Sequence, residues 1–196
     1  VKFHMKYAVE HAKILVRGLC LAMKPTKTII RALPFRNLED LNTTSTPFDH
    51  DSVDLLDKLG VPAFKIGSGE VGNIPLLKHI SSKSKPVILS TGMSYLNEVA
   101  RAVSALRDSG NHNLVLLHCV SAYPIEEKDA NLSAITTLQS KYNDCLIGYS
   151  DHTNGIKVPL YAVTLGAKII EKHYRISDEM ECVDSSVSIN EEQMSD

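Results

Sequence analysis

The chain has four cysteines and no CxxC pair: Cys20, Cys119, Cys145 and Cys182 lie far apart. That spacing excludes a zinc ribbon and fits free thiols in a reducing compartment, so a cytoplasmic protein is expected. There is no long apolar run, because Arg17 and Lys24 interrupt the greasiest N-terminal stretch, and no membrane span is expected. A large excess of either charge is missing too: the net charge of −2 provides no attraction to nucleic acid or to an anionic membrane. A signal peptide is not expected, since Lys2 and Lys6 are followed by no small-residue cleavage site. The opening residue is Val1 rather than methionine, which suggests a fragment or a processed product. No GxGxxG loop occurs anywhere. With 196 residues, 43% of them hydrophobic and 22% charged, the chain can bury one sizeable core as an ordinary globular protein.

The pattern becomes regular only after about residue 41. Val1–His4 reads as the end of a strand. Ala8, His11, Ala12 and Leu15 hint at a helix, while Gly18, Pro25 and Pro34 break the stretch after it. Asn42–Thr46 is β-prone and stopped by Pro47, and Val53, Leu56 and Leu59 mark a helix ending at Gly60. The next strand is Ala63–Gly67, then a helix capped by Asn73 carries Leu76, Leu77 and Ile80. Strand Pro86–Ser90 leads to a helix capped by Ser94 with Leu96, Val99, Val103 and Leu106, ending at Gly110. Strand Leu114–His118 precedes a helix capped by Asn131 with Ile135, Leu138 and Tyr142. Strand Cys145–Gly148, a helix through Val158, Ala162 and Leu165, and strand Lys168–Glu171 complete the series. Nearly continuous apolar strands alternating with amphipathic helices predict a parallel sheet covered on both faces.

Polar residues gather where the strands end: Thr46, Lys65 with Ser68 and Glu70, Ser90–Thr91, His118 with Ser121 and Tyr123, Ser150–His152, and Glu171–His173. In a (β/α)8 barrel all strand ends meet at one mouth, whereas an open doubly wound sheet shares a site only near its switch point. The distribution therefore predicts a TIM barrel. At most seven strands are visible, so the expectation is a single partial barrel domain over residues 1–196 that lacks its first β/α unit and the end of its last helix.

Two chemistries suggest themselves at those ends. His152 and His173 follow consecutive strands, and neutral imidazoles so placed could share a divalent metal with open positions for water or substrate. Lys65, Ser68, Ser90 and Ser150 supply one cation and three hydroxyls, a set suited to phosphate. Glu70, closing Phe64-Lys65-Ile66-Gly67-Ser68-Gly69-Glu70, could move a proton. His118 is expected to be a packed histidine, and His11, His50, His79 and His112 surface residues.

That heptapeptide, Leu89–Met93, His118–Pro124, Gly148–Thr153, Ile170–His173 and Ser45–Asp49 resemble, in order and spacing, the sialic acid synthase family. The likeness covers residues 42–189, leaving 1–40 divergent. It implies condensation of phosphoenolpyruvate with an N-acylmannosamine-type sugar, giving a nonulosonic acid and phosphate, with manganese or magnesium as cofactor. By position it implies that His152 and His173 bind the metal. Thr46, Lys65, Ser68, Ser90, Ser121 and Ser150 would surround phosphoenolpyruvate, Glu70 would be the catalytic carboxylate, and Tyr123 and Asp184 would contact the sugar.

The departures are specific. Relatives begin with a strand bearing an active-site glutamate and read Lys-Phe-Gln where this chain has Lys2-Phe3-His4; Ser121 stands where some have asparagine. Relatives also carry a C-terminal antifreeze-like domain and act as homodimers, and this domain is expected to be absent. Two alternatives stay open: a non-catalytic remnant of such a synthase, or another phosphoenolpyruvate-using barrel aldolase.

Overall fold

The computed structural model describes residues 44–175, 178–179 and 183–195, together with the backbone of 13–18. The chain divides into two compact units, residues 30–116 and residues 117–196 with 1–29. The expected strand Val1–His4 lies outside the described residues.

In the first unit, helix α1 (His50–Lys58) starts at Asp49, whose carboxylate accepts from the Ser52 amide at 2.7 Å. It stops before Gly60, whose φ of +76° is a left-handed stop. Strand β2 (Phe64–Ile66) follows, then a 3-10 turn over Ser68–Glu70. Helix α2 (Ile74–Ser81) is capped by Asn73, which accepts from the Leu76 amide, with Pro75 in its first turn. Strand β3 (Val87–Ser90) pairs in parallel with β2, Lys65 opposite Ile88. Helix α3 (Leu96–Asp108) then leads to Leu114, the first residue of β4 (Leu114–Cys119).

The core of this unit lies between β2–β3 and the helices. Phe64, Ile66 and Leu89 project from one face of the strands and are fully buried, as are Leu76, Leu77, Ile80 and Leu106 from the helices. Each such side chain contributes about 1.5–3 kcal/mol by leaving water. Lys65, Ile88 and Ser90 alternate with them and point to the other face.

In the second unit, helix α4 (Ser133–Lys141), strand β5 (Leu146–Asp151), helix α5 (Lys157–Thr164) and strand β6 (Ile169–Tyr174) follow one another. β5 and β6 are parallel, with Ser150 opposite Glu171 and Asp151 opposite Lys172. β6 also pairs in parallel with β1 (Lys13–Gly18) and, through His173 and Tyr174, with the short β7 (Ser188–Ile189), after which helix α6 (Glu191–Ser195) begins.

Gly148 in β5 lies hard against the neighbouring strand. A Cβ there would lie 2.4 Å from the Ile169 carbonyl oxygen and 2.6 Å from Leu117 Cδ2. A glycine in a strand interior is tolerated where a second backbone approaches this closely.

Several expectations are corrected. Residues 13–18 form a strand, not part of a helix: Ile14-Leu15-Val16 is an apolar, partly β-branched run that finds a partner in β6. Ala8, His11 and Ala12 lie outside the described residues. Asn42–Thr46 reduces, within the described residues, to a single parallel bridge between Ser45 and Phe64. Ser94 does not cap α3; its hydroxyl turns to the Gly92 carbonyl. The Tyr95 amide instead donates to Glu98 at 2.7 Å, half of a capping box. Asn131 sits one residue too early to cap α4, with φ +46°. β5 and β6 each run three residues beyond their expected ends, which carries the polar residues into the strands themselves.

Candidate functional site

In the first unit, the Lys65 ammonium donates to Ser90 Oγ at 2.7 Å and to the Ile66 carbonyl at 3.2 Å, with both side chains buried. The backbone holds the lysine from both sides, since its amide donates to the Ser45 carbonyl at 3.1 Å. Thr46 follows directly, and its Cγ2 lies 4.0 Å from where a Cβ on Gly67 would be. Thus Thr46, Lys65 and Ser90 are assembled around one strand pair. Ser68 and Glu70 lie on the turn that leaves β2. Asn73 Nδ2 donates to Glu70 Oε2 at 2.7 Å while Asn73 Oδ1 caps α2, so the same side chain fixes the helix and orients the carboxylate.

In the second unit, alternation along β5 and β6 sorts the polar residues by face. Ser150 and Glu171 share one face and are joined by a 2.7 Å hydrogen bond from Ser150 Oγ to Glu171 Oε1. His152 and His173 stand two residues further along each chain, their rings 5.4 Å apart and edge-on. Tyr123 lies over the His152 ring at 3.9 Å and meets the His173 ring edge-on at 5.6 Å. Asp184, in the segment before β7, brings a carboxylate oxygen within 3.4 Å of His173 Nδ1.

The histidines suit a metal in their chemistry. His152 Nδ1 is 2.7 Å from the Val120 carbonyl, which only accepts, so Nδ1 carries the proton and Nε2 keeps its lone pair. Asp184 lies at the longer distance of 3.4 Å from His173 Nδ1, and carboxylate or carbonyl partners on the far nitrogen set tautomer and ring orientation in metal-binding histidines. Among the described residues no group of three or more His, Cys, Asp or Glu side chains is arranged around one point, so the donor set these residues offer is two imidazoles.

Ser121 follows Val120 and is partly exposed, at the start of the segment that carries Tyr123. The structure therefore brings together Lys65, Ser90 and Thr46 in one unit, and Tyr123, His152, His173 and Asp184 with Ser150 in the other.

Three residues with buried charge were not among the expected site residues. Glu171 is 4% exposed on the face that carries His173. Asp151 and Lys172, on the opposite face, form an ion pair at 2.6 Å with side chains 0% and 3% exposed. Their signal was available in Ser150-Asp151-His152 and Glu171-Lys172-His173, where charges stand beside the histidines, but the partners follow only from strand register.

His118 is packed, as its place in an apolar strand suggests. Its Nε2 lies 2.8 Å from the Ala130 carbonyl and its ring 5.7 Å from that of Tyr149. Burial pushes its pKa below the usual imidazole value of 6.5, partly offset by the Ala130 bond. The unfolded chain then binds a proton that the folded one refuses, so stability is full above the unfolded value and declines as pH falls below 6.5. The slope is at most about 1.4 kcal/mol per pH unit for one proton. Melting curves from pH 7.5 to 5 are expected to fall less steeply for His118→Gln than for the unaltered chain; parallel curves would show that His118 does not set the slope. His50 and His79 stack at 4.4 Å and His79 binds Asp54, both at the surface of the first unit, and His112 is exposed.

No helix among the described residues is long and apolar enough to cross a membrane.

The comparisons with known proteins agree with these features. The NeuB family model matches residues 23–196. The N,N'-diacetyllegionaminic acid synthase of Campylobacter jejuni is 41% identical over 182 residues, covering 92% of this chain and 53% of that protein. The N-acetylneuraminic acid synthetase of Leptospira borgpetersenii, a crystal structure, is 44% identical with a TM-score of 0.74, covering 76% of this chain and 52% of that one. A truncated 3-deoxy-D-arabino-heptulosonate 7-phosphate synthase of Thermotoga maritima, 19% identical with a TM-score of 0.66 over 78% of this chain and 61% of that one, shares the fold alone. The chain spans about half the length of the first two relatives. Its parallel α/β fold, its ordered motifs and a family match reaching from residue 23 to residue 196 lead to one assignment: the chain belongs to the NeuB family of sialic and related acid synthases.

Proposed function

We propose that the chain catalyses, or supplies most of the machinery for, condensation of phosphoenolpyruvate with an N-acylmannosamine-type sugar. The observation that carries this reading is the side-by-side presentation of His152 and His173, with His152 Nδ1 bonded to Val120, Asp184 beside His173 Nδ1, and Tyr123 against both rings.

The first unit binds phosphoenolpyruvate. Lys65 supplies the positive charge, with the hydroxyls of Thr46, Ser68 and Ser90 as neutral donors. In the second unit, by family resemblance, Ser121 and Ser150 are the hydroxyls assigned to phosphoenolpyruvate, and Tyr123 and Asp184 are the residues assigned to the sugar. His152 and His173 would hold a divalent ion, manganese or magnesium, which when bound would supply Lewis-acid polarisation of the sugar's aldehyde oxygen. The enol carbon of phosphoenolpyruvate bonds to the aldehyde carbon, whose oxygen takes a proton. Water adds to the carbon bearing the phosphate ester, and phosphate leaves as the keto acid forms. Glu70, its carboxylate oriented by Asn73, accepts the proton from that water.

The names of the relatives differ in their sugar acid, which supports the acylated-sugar class and leaves the member open. Phosphate release from phosphoenolpyruvate with manganese is the assay, run over a panel of N-acylated mannosamines and unsubstituted aldose phosphates. Release with the acylated sugars, lowered about 100-fold or more by Glu70→Gln, is expected. Release with aldose phosphates alone would move the chain to the other aldolase class, and undiminished turnover in Glu70→Gln would remove that residue's role.

A further inference from the structure

We propose that the buried Asp151–Lys172 pair, on the strand face opposite the histidines, is a positioning device that fixes the backbone presenting His152. The inference rests on the reading of His152 and His173 as metal ligands.

The pair occupies the two chain positions that carry the site. Asp151 precedes His152, and Lys172 precedes His173. Because side chains alternate, a residue beside a ligand on a strand points away from the site and touches the chemistry only through the backbone. Lys172 Nζ donates to Asp151 Oδ2 at 2.6 Å and also to the Thr153 carbonyl. Asp151 accepts from the Thr153 amide at 3.2 Å, and from the Thr153 hydroxyl at 2.9 Å and 3.0 Å through its two oxygens. Thr153 is itself fully buried and bridges in parallel to Ile125, whose amide donates to the His152 carbonyl at 3.0 Å.

His152 is thus held through its backbone and through Nδ1. Asp151 and Thr153 are tied to each other across it, Lys172 ties both to β6, Ile125 holds its carbonyl, and Val120 holds its ring. β5 ends at Asp151, so His152 lies beyond regular strand pairing, where this network stands in for it. Since Lys172 also lies next to His173, one ammonium couples the backbone positions of both proposed ligands. A pair needed only for stability could be replaced by apolar side chains of similar volume at no loss. The clamp on the Thr153 carbonyl could not.

The test measures manganese affinity by electron paramagnetic resonance of the free ion, with melting temperature in parallel, on the full chain. His152→Ala is expected to abolish binding. If the unaltered chain binds no manganese, or His152→Ala leaves binding intact, the ligand reading fails and the positioning role goes with it. The double variant Asp151→Leu/Lys172→Met removes both charges together. It is expected to keep its melting temperature and to lose 10- to 100-fold in affinity, the usual effect of losing a residue that orients a ligand. Leu138→Ala, a buried change in α4 away from the network, is the control: a lower melting temperature with unchanged affinity. Should the double variant not fold, Thr153→Val removes the hydroxyl between the Asp151 oxygens and is expected to weaken binding several-fold. Unchanged affinity in the folded variant, with His152→Ala inactive in binding, would overturn the positioning role and leave the ligands in place.

Discussion

Lys65→Met is expected to lower phosphate release by roughly 100- to 1000-fold, the scale on which one preorganised donor to a developing or transferred oxyanion acts. The side chain is 3% exposed, and methionine fills nearly the same volume, so the fold is retained. What disappears is the ammonium held against Ser90 Oγ. Lys65→Arg tests geometry separately from charge: a planar fork cannot occupy the place of a compact ammonium between the Ile66 carbonyl and Ser90, and activity is expected to stay low. A variant that lost its charge and turned over normally would remove Lys65 from the phosphoenolpyruvate site. Steady-state kinetics across phosphoenolpyruvate concentrations, with melting temperature as the control, decides the matter.

The second large effect concerns stability. Lys172→Met alone leaves the Asp151 carboxylate, 0% exposed, without its cation. Breaking a buried pair from one side costs about 3–5 kcal/mol, because the remaining charge cannot be solvated. For a chain of 196 residues this corresponds to a melting temperature lower by roughly 10 °C or more. The companion Asp151→Leu should be comparably damaging, since it strands the ammonium, while the double change restores the melting temperature. A thermodynamic cycle over the four proteins measures the coupling. Additive single effects would show that the two charges do not depend on each other.

Much of this architecture was legible in the residues. The helices follow from apolar spacing and from caps whose side chains act locally, as with Asp49 and Asn73. The caps misread at Ser94 and Asn131 are those where several hydrogen-bonding residues stand in a row and only geometry chooses among them. Strand β1 was missed because a three-residue apolar run, Ile14-Leu15-Val16, has no period of its own; its partner β6 supplies the pattern from far along the chain. At the site, Lys65, Ser90, His152 and His173 could be found because strand ends concentrate chemistry whatever the register. The partnership of Ser150 with Glu171 and of Asp151 with Lys172 could not, because a shift of one residue exchanges the two faces.

Gly148 ties that register to function through a residue with no side chain. Its hydrogen leaves room for the Ile169 carbonyl and the end of Leu117, so β5 and β6 approach more closely here than two side-chain-bearing residues would allow. Ile169 lies two residues before Glu171 and four before His173 on the same face. A single methyl at position 148 would therefore act as a wedge at the root of β6, and the displacement would arrive at the tip, where an imidazole must be held to fractions of an ångström. The spacing of the proposed ligands is thus set several residues below them, by an atom group that the chain leaves out.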